Sequence, residues 1–139
     1  MLKTYHGTCH CGAVEFEVPL DLSQGTNRCN CTYCRKTRHW GAAVADPTTL
    51  RVTNGQAAIS TYNGRDGGPD APIAHAFCSH CGTKLFTTGD IAELGGRFAS
   101  VYLPALEDAT EAELIAAPVF WCDGLHDNWW NPAAETRHL

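Results

Sequence analysis

The sequence predicts a mainly β protein organised around cysteine. Short apolar runs alternate with polar residues, turn residues separate them, and one helical stretch stands out near the C-terminus. Seven of the eight cysteines fall into three tight groups. At 139 residues the chain suits a single domain spanning 1–139, and a chain of this size buries roughly 70% of its unfolded surface.

Val14, Phe16 and Val18 alternate with Ala13, Glu15 and Glu17, the period of a half-buried strand, and Pro19 is expected to close it. Residues 51–53 and Ile59–Tyr62 read as two arms of a hairpin around Asn54-Gly55, a strong turn signal. Ile73–Cys78 and 84–88 are expected strands on either side of the third cysteine group, and 97–103 is another. The helix falls at 108–117, with Asp108 or Thr110 as N-cap and Pro118 as terminator. A helical turn over Thr32–Thr37 follows Cys31, and the Gly- and Pro-rich stretch 64–72 is expected as a flexible loop.

The composition, 44% hydrophobic and 18% charged, is that of an ordinary soluble globular protein. No apolar run approaches the roughly 20 residues of a membrane span, and the first residues lack a secretory apolar stretch. The expectation is a cytoplasmic protein with reduced thiols, where clustered cysteine means metal or catalysis rather than disulfides. A net charge of −5 argues against broad nucleic-acid binding. Positive charge is uneven, however: Arg28, Arg35, Lys36 and Arg38 flank the second cysteine group, either as a solvated helix face or as an anion-binding rim.

The cysteine groups differ. Cys9-His10-Cys11-Gly12 and Cys78-Ser79-His80-Cys81-Gly82 each offer two thiolates followed by glycine, which gives a tight turn its left-handed freedom. Together they supply the four ligands of a closed structural zinc. Cys29-Asn30-Cys31-Thr32-Tyr33-Cys34 offers three thiolates, enough for a second zinc with an open position for water or a substrate sulfur. Closure by a fourth protein ligand (His10, His39, His80, Cys122 or His126) and redox activity of the three cysteines are the alternatives.

The order Gly7-x-Cys9-x-Cys11-Gly12-x-Val14-x-Phe16, then Cys29-x-Cys31-x-x-Cys34-Arg35, then Phe77-Cys78-x-x-Cys81-Gly82-Thr83-x-Leu85-Phe86, resembles the glutathione-dependent formaldehyde-activating enzyme family. That family also includes the catalytic-like domain of centromere protein V. The resemblance implies a β-tent fold, small antiparallel sheets stitched by a structural zinc. It implies structural ligands at Cys9, Cys11, Cys78 and Cys81, and catalytic-zinc ligands at Cys29, Cys31 and Cys34. It further implies a carbon–sulfur lyase-type reaction joining glutathione and formaldehyde, with two zinc ions per chain. Arg35 and Arg38 are candidates for pairing with the carboxylates of the thiol substrate, as are Arg28 and Lys36. A zinc-stabilised binding module without chemistry is the competing function.

Trp121, Trp129 and Trp130 are expected to pack a last strand over the core, with a pocket wall as the other reading. His126 is a candidate acid or base, Cys122 a small buried apolar group, Trp40 a core residue and Tyr33 a possible pocket wall. His10 and His80 are expected to point to solvent. The substrate partners expected are a small thiol and a small aldehyde, with no nucleic acid and no membrane.

Overall fold

The computed structural model describes residues 1–68 and 70–139. In chain order the strands and helices are β1 (Lys3–Thr8), β2 (Glu15–Leu20), β3 (Thr26–Cys29), α1 (Thr32–Thr37), β4 (Gly41–Ala43), β5 (Arg51–Asn54), β6 (Ile59–Tyr62), β7 (Ile73–Cys78), β8 (Lys84–Ile91), β9 (Gly96–Tyr102), α2 (Glu111–Ala116), β10 (Val119–Asp123) and β11 (Asn128–Pro132). The fold is mainly β, as the alternating runs predict. Three strands form one sheet in the order β1-β2-β5, and eight form another in the order β11-β10-β3-β4-β9-β8-β7-β6. All pairs are antiparallel except β10 with β3, whose parallel register sets Cys122 beside Cys29.

The core lies where the sheets meet. In β2 the period-2 pattern buries Phe16, Val18 and Leu20, while β8 and β9 contribute Leu85 and Val101. Phe16 from the small sheet meets Phe86 from the large one edge-to-face, ring centroids 5.6 Å apart, a favoured aromatic geometry. Trp40 packs against this cluster as expected, and its indole N–H donates to Thr26 Oγ1 at 2.9 Å.

Several expectations change. Pro19 does not end its strand: β2 runs on to Leu20, with Pro19 opposite Thr4 of β1. The partner on the other side, β5, reaches only from Glu15 to Glu17, so the missing N–H of Pro19 disrupts no ladder there. The hairpin about Asn54-Gly55 does not form. β5 joins β2 in the small sheet and β6 joins β7 in the large one. Gly55, left-handed with φ 80°, instead leads into a 3-10 turn, Gln56–Ala58. That turn is held by Ala58, whose carbonyl accepts from both the backbone N–H and the hydroxyl of Ser79. Tertiary anchoring outweighs the local turn preference.

The helix α2 is shorter than expected. Thr110 is its N-cap and forms a reciprocal capping box with Glu113, and the carboxylate of Glu113 also accepts from Lys3 and Tyr5. The turn over Thr32–Thr37 is present as α1, with Cys31 at its N-cap. The expected loop at 64–72 includes Pro69, which lies outside the described residues. Strands β1, β3, β4, β10 and β11 carried no clear sequence signal. Among the described residues no helix is long and apolar enough to cross a membrane.

β1 is tied to the segment before α2 by His6. Its backbone N–H and its Nδ1 both meet the Asp108 carboxylate at 2.9 Å, and hydrogen bonding to Asp108 raises the His6 pKa above its ordinary value. A raised folded-state pKa stabilises fully below the unfolded value near 6.5, and that contribution fades as pH climbs through the folded value. The thermal midpoints of the wild type and His6→Gln are therefore expected to differ more at pH 6 than at pH 9. Because His6 is exposed, the gap should be small and should shrink with salt.

Candidate metal centres

Two turns of the same design meet between the sheets. The first joins β1 to β2 and the second joins β7 to β8. In each, the N–H of the glycine after the second cysteine donates to the first cysteine's carbonyl, Gly12 to Cys9 at 3.1 Å and Gly82 to Cys78 at 2.8 Å. Both glycines take the left-handed conformation, with φ 79° and 77°, which explains why glycine ends both groups. The four sulfurs of Cys9, Cys11, Cys78 and Cys81 lie within 4.8 Å of one another. Cys9 and Cys11 are 3.6 Å apart and Cys11 and Cys78 are 3.8 Å apart. Zinc–sulfur bonds of about 2.3 Å in a tetrahedron place sulfurs about 3.8 Å apart, so this donor set fits zinc.

The surroundings favour the thiolate at Cys9 and Cys81; at Cys11 the Ala13 N–H also favours it, but the neighbouring thiols outweigh that and push the group up to about 11. Burial opposes the charged form of Cys9, but the Val14 N–H at 3.3 Å and the neighbouring thiols outweigh it and lower its pKa. Cys81 is held down to about 5, first by the Thr83 hydroxyl and then by the N–H groups of Thr83 and Cys11. His10 and His80 are exposed, as expected.

The second cluster forms where β3 ends and α1 begins. The sulfurs of Cys29, Cys31 and Cys34 lie within 4.8 Å of one another, and among the described residues no other Cys, His, Asp or Glu joins that set. The Cys31 N–H points at Cys29 Sγ at 3.3 Å, and the Cys34 N–H at Cys31 Sγ at 3.4 Å. Cys31 is pulled down to about 2 by the thiols of Cys29 and Cys34 and by backbone N–H groups, while hydrogen bonds with Cys29 and Cys31, and burial, push Cys34 up. Such a thiol-rich, partly open set also suits zinc.

Asn30, buried between two of these cysteines, holds the cluster to the far end of the chain. Its amide donates to Asp123 at 2.7 Å, its carbonyl accepts from Leu125 N–H at 2.9 Å, and its own N–H donates to the Cys122 carbonyl at 3.2 Å. Gly124 passes so close that an added Cβ would sit 2.7 Å from Cys29 Sγ and 2.5 Å from the Trp129 ring. Sequence reading passed over Asn30; its only signal is its place inside the CxC pair.

A family model described as glutathione-dependent formaldehyde-activating enzyme matches residues 4–123. The chain belongs to this family. A Halomonas elongata protein provisionally named as a glutathione-dependent formaldehyde-activating enzyme is 38% identical over 84 residues, which are 58% of this chain and 53% of that protein. The chain thus spans about half the length of that curated relative. A crystal structure of a Rhodobacter sphaeroides protein is similar with a TM-score of 0.63 at 29% identity, covering 82% of this chain and 98% of that one.

In this family member the cationic residues divide. Arg28, Arg35, Arg38 and His39 line a small depression with Cys29 and Cys34, bordered by Leu139, whereas Lys36 is exposed outside it. Arg28 lies over the rings of Trp40 and Trp121, 4.9 and 5.7 Å from their centroids, and Arg38 donates to the His138 carbonyl at 3.1 Å. The expected core role is corrected for two of the C-terminal tryptophans: Trp129 and Trp130, on the edge strand β11, are 45% and 77% exposed, while Trp121 on β10 is half-buried. His126 is also exposed and binds Asp123 through Nδ1 at 2.8 Å. Cys122 is only half-buried, and it stands beside Cys29 without joining the cluster.

Proposed function

We propose that this chain is a zinc-dependent enzyme that forms and breaks a thiol–aldehyde adduct, with glutathione and formaldehyde as substrates. The observation that carries the reading is the three-cysteine cluster, which has no fourth protein donor among the described residues and opens on an arginine-lined depression. Residues 1–139 would act as one unit. Cys9, Cys11, Cys78 and Cys81 would hold a structural zinc, and Cys29, Cys31 and Cys34 a second zinc with an open position. Zinc bound there would supply Lewis acidity that favours the deprotonated form of a thiol.

The chain's own residues would bind and orient the substrate. Arg35 and Arg38 border the depression and would pair with the carboxylates of glutathione, a task suited to the planar guanidinium. In the reaction the thiol loses its proton, sulfur bonds to the carbonyl carbon, and the carbonyl oxygen takes up a proton. Nothing is oxidised or reduced, and the product is S-hydroxymethylglutathione; the reverse is a carbon–sulfur lyase reaction. Reduced cysteines are required throughout, which favours the cytoplasm.

Exchange NMR on formaldehyde mixed with glutathione tests this reading. The zinc-loaded protein is expected to speed exchange between free formaldehyde and the adduct. No acceleration with glutathione or any other thiol would remove the enzyme reading and leave a binding module.

A further inference from the structure

Lys84 opens β8, three residues after Cys81, and its side chain reaches α1, the helix that carries Cys34. The ammonium sits 3.2 Å from Thr37 Oγ1 and 3.2 Å from His39 Nδ1. It lies over the ring of Tyr33 at 4.6 Å and that of Tyr102 at 5.3 Å. These neighbours come from α1, from the segment after it and from β9, and none carries a negative charge. Among the described residues no carboxylate lies within ion-pair reach of Lys84.

The neighbours are fixed as well as uncharged. Tyr33 stacks on His75 of β7, with centroids 4.1 Å apart, and His39 stacks on Tyr102 at 6.1 Å. Burial and Lys84 bring His75 down to about 4, so its imidazole is neutral near pH 7. With Nδ1 of His39 accepting from the ammonium, its proton resides on Nε2. A half-buried cation with only neutral acceptors and aromatic faces around it is costly unless an anion lies near. Burial lowers the Lys84 pKa, and the cysteines of the cluster, Cys34 before Cys31, oppose that shift. Helix α1 connects them directly, since Thr37 and Tyr33 flank Cys34 and the His39 N–H donates to the Cys34 carbonyl at 2.9 Å.

We propose that Lys84 is a positioning residue for the substrate thiol: its fixed ammonium offsets the negative charge that a thiolate brings to the three-cysteine cluster, and so selects anionic ligands over neutral ones. The inference rests on the open-site reading above. A divalent ion with three thiolates already carries one net negative charge, and a fourth thiolate adds another. Arg35 and Arg38 address the remote carboxylates of glutathione, whereas Lys84 acts on the sulfur itself. Any small thiol should therefore feel Lys84, including one without carboxylates.

The test uses full-length protein loaded with cobalt(II), whose sulfur-to-metal charge-transfer absorption reports a fourth ligand directly. It is titrated at fixed pH with 2-mercaptoethanol, which has no carboxylate, and separately with neutral imidazole. Lys84→Met is expected to weaken 2-mercaptoethanol binding about tenfold while imidazole binding changes by less than about twofold, and Lys84→Arg should restore most of the loss. Thr37→Val frees the ammonium from one of its two acceptors and keeps every core side chain, so it should shift thiol binding in the same direction if Lys84→Met does not fold. Equal weakening of both ligands, or no weakening of the thiol, overturns the role of Lys84 alone. A wild-type protein that binds no thiol overturns both this role and the open-site reading.

Discussion

Cys78→Ser is expected to leave the chain without a cooperative thermal transition. Cys78 is fully buried, and its sulfur lies 3.8 Å from Cys11 in the set that fits zinc. Structural zinc in small cysteine sites contributes about 10–16 kcal/mol of apparent binding energy. Whole domains are stable by only about 5–15 kcal/mol, so losing one ligand and much of that binding removes most of the margin. The effect should be large because the site joins β1 and β2 of the small sheet to β7 and β8 of the large one. Circular dichroism melts with metal analysis would check it. A Cys78→Ser protein that melts within a few degrees of wild type would mean that the four cysteines hold no ion on which the fold depends.

Cys31→Ser should do the opposite, sparing the fold and abolishing the chemistry. Cys31 is only half-buried, and its structural duty is to cap α1 by accepting the Cys34 N–H. Serine is a good N-cap, so the stability change should stay within about 1 kcal/mol. The proposed second metal, however, would lose one of its three cysteine ligands. Activity in the exchange assay is expected to fall about a thousandfold, the scale of several kcal/mol of lost metal assistance. Zinc content should fall from two ions to one. A full complement of metal with normal activity would contradict the assigned ligands. The two substitutions change the same atom type in the same chain, and burial, the helix cap and the completeness of the sulfur set separate their expected outcomes.

The parts that sequence reading recovered share a cause. Cysteine pairs with a following glycine, and strands with period-2 burial such as β2, β7 and β8, are local patterns with local causes. The capping box that starts α2 is another, and Thr110 and Glu113 carry it unaided. What sequence reading missed depends on contacts far along the chain. Asn54-Gly55 encodes a hairpin turn, yet Ser79 binds Ala58 and sends the next strand into the other sheet. β3 and β4 are too short to show a period and exist because β10 and β9 pair with them. Trp129 and Trp130 signal a core by composition but stand on an edge strand. Lys84 is one lysine among ten Lys and Arg until His39, Thr37 and two tyrosines close around it.

The most direct test of the account is a crystal structure of the zinc-loaded protein with anomalous scattering measured at the zinc edge. Two ions are expected, one bound by Cys9, Cys11, Cys78 and Cys81, the other by Cys29, Cys31 and Cys34 with its fourth position held by water or an added thiol. A histidine or Cys122 bonded as the fourth ligand of the second ion, or disulfides where either ion should be, would contradict it.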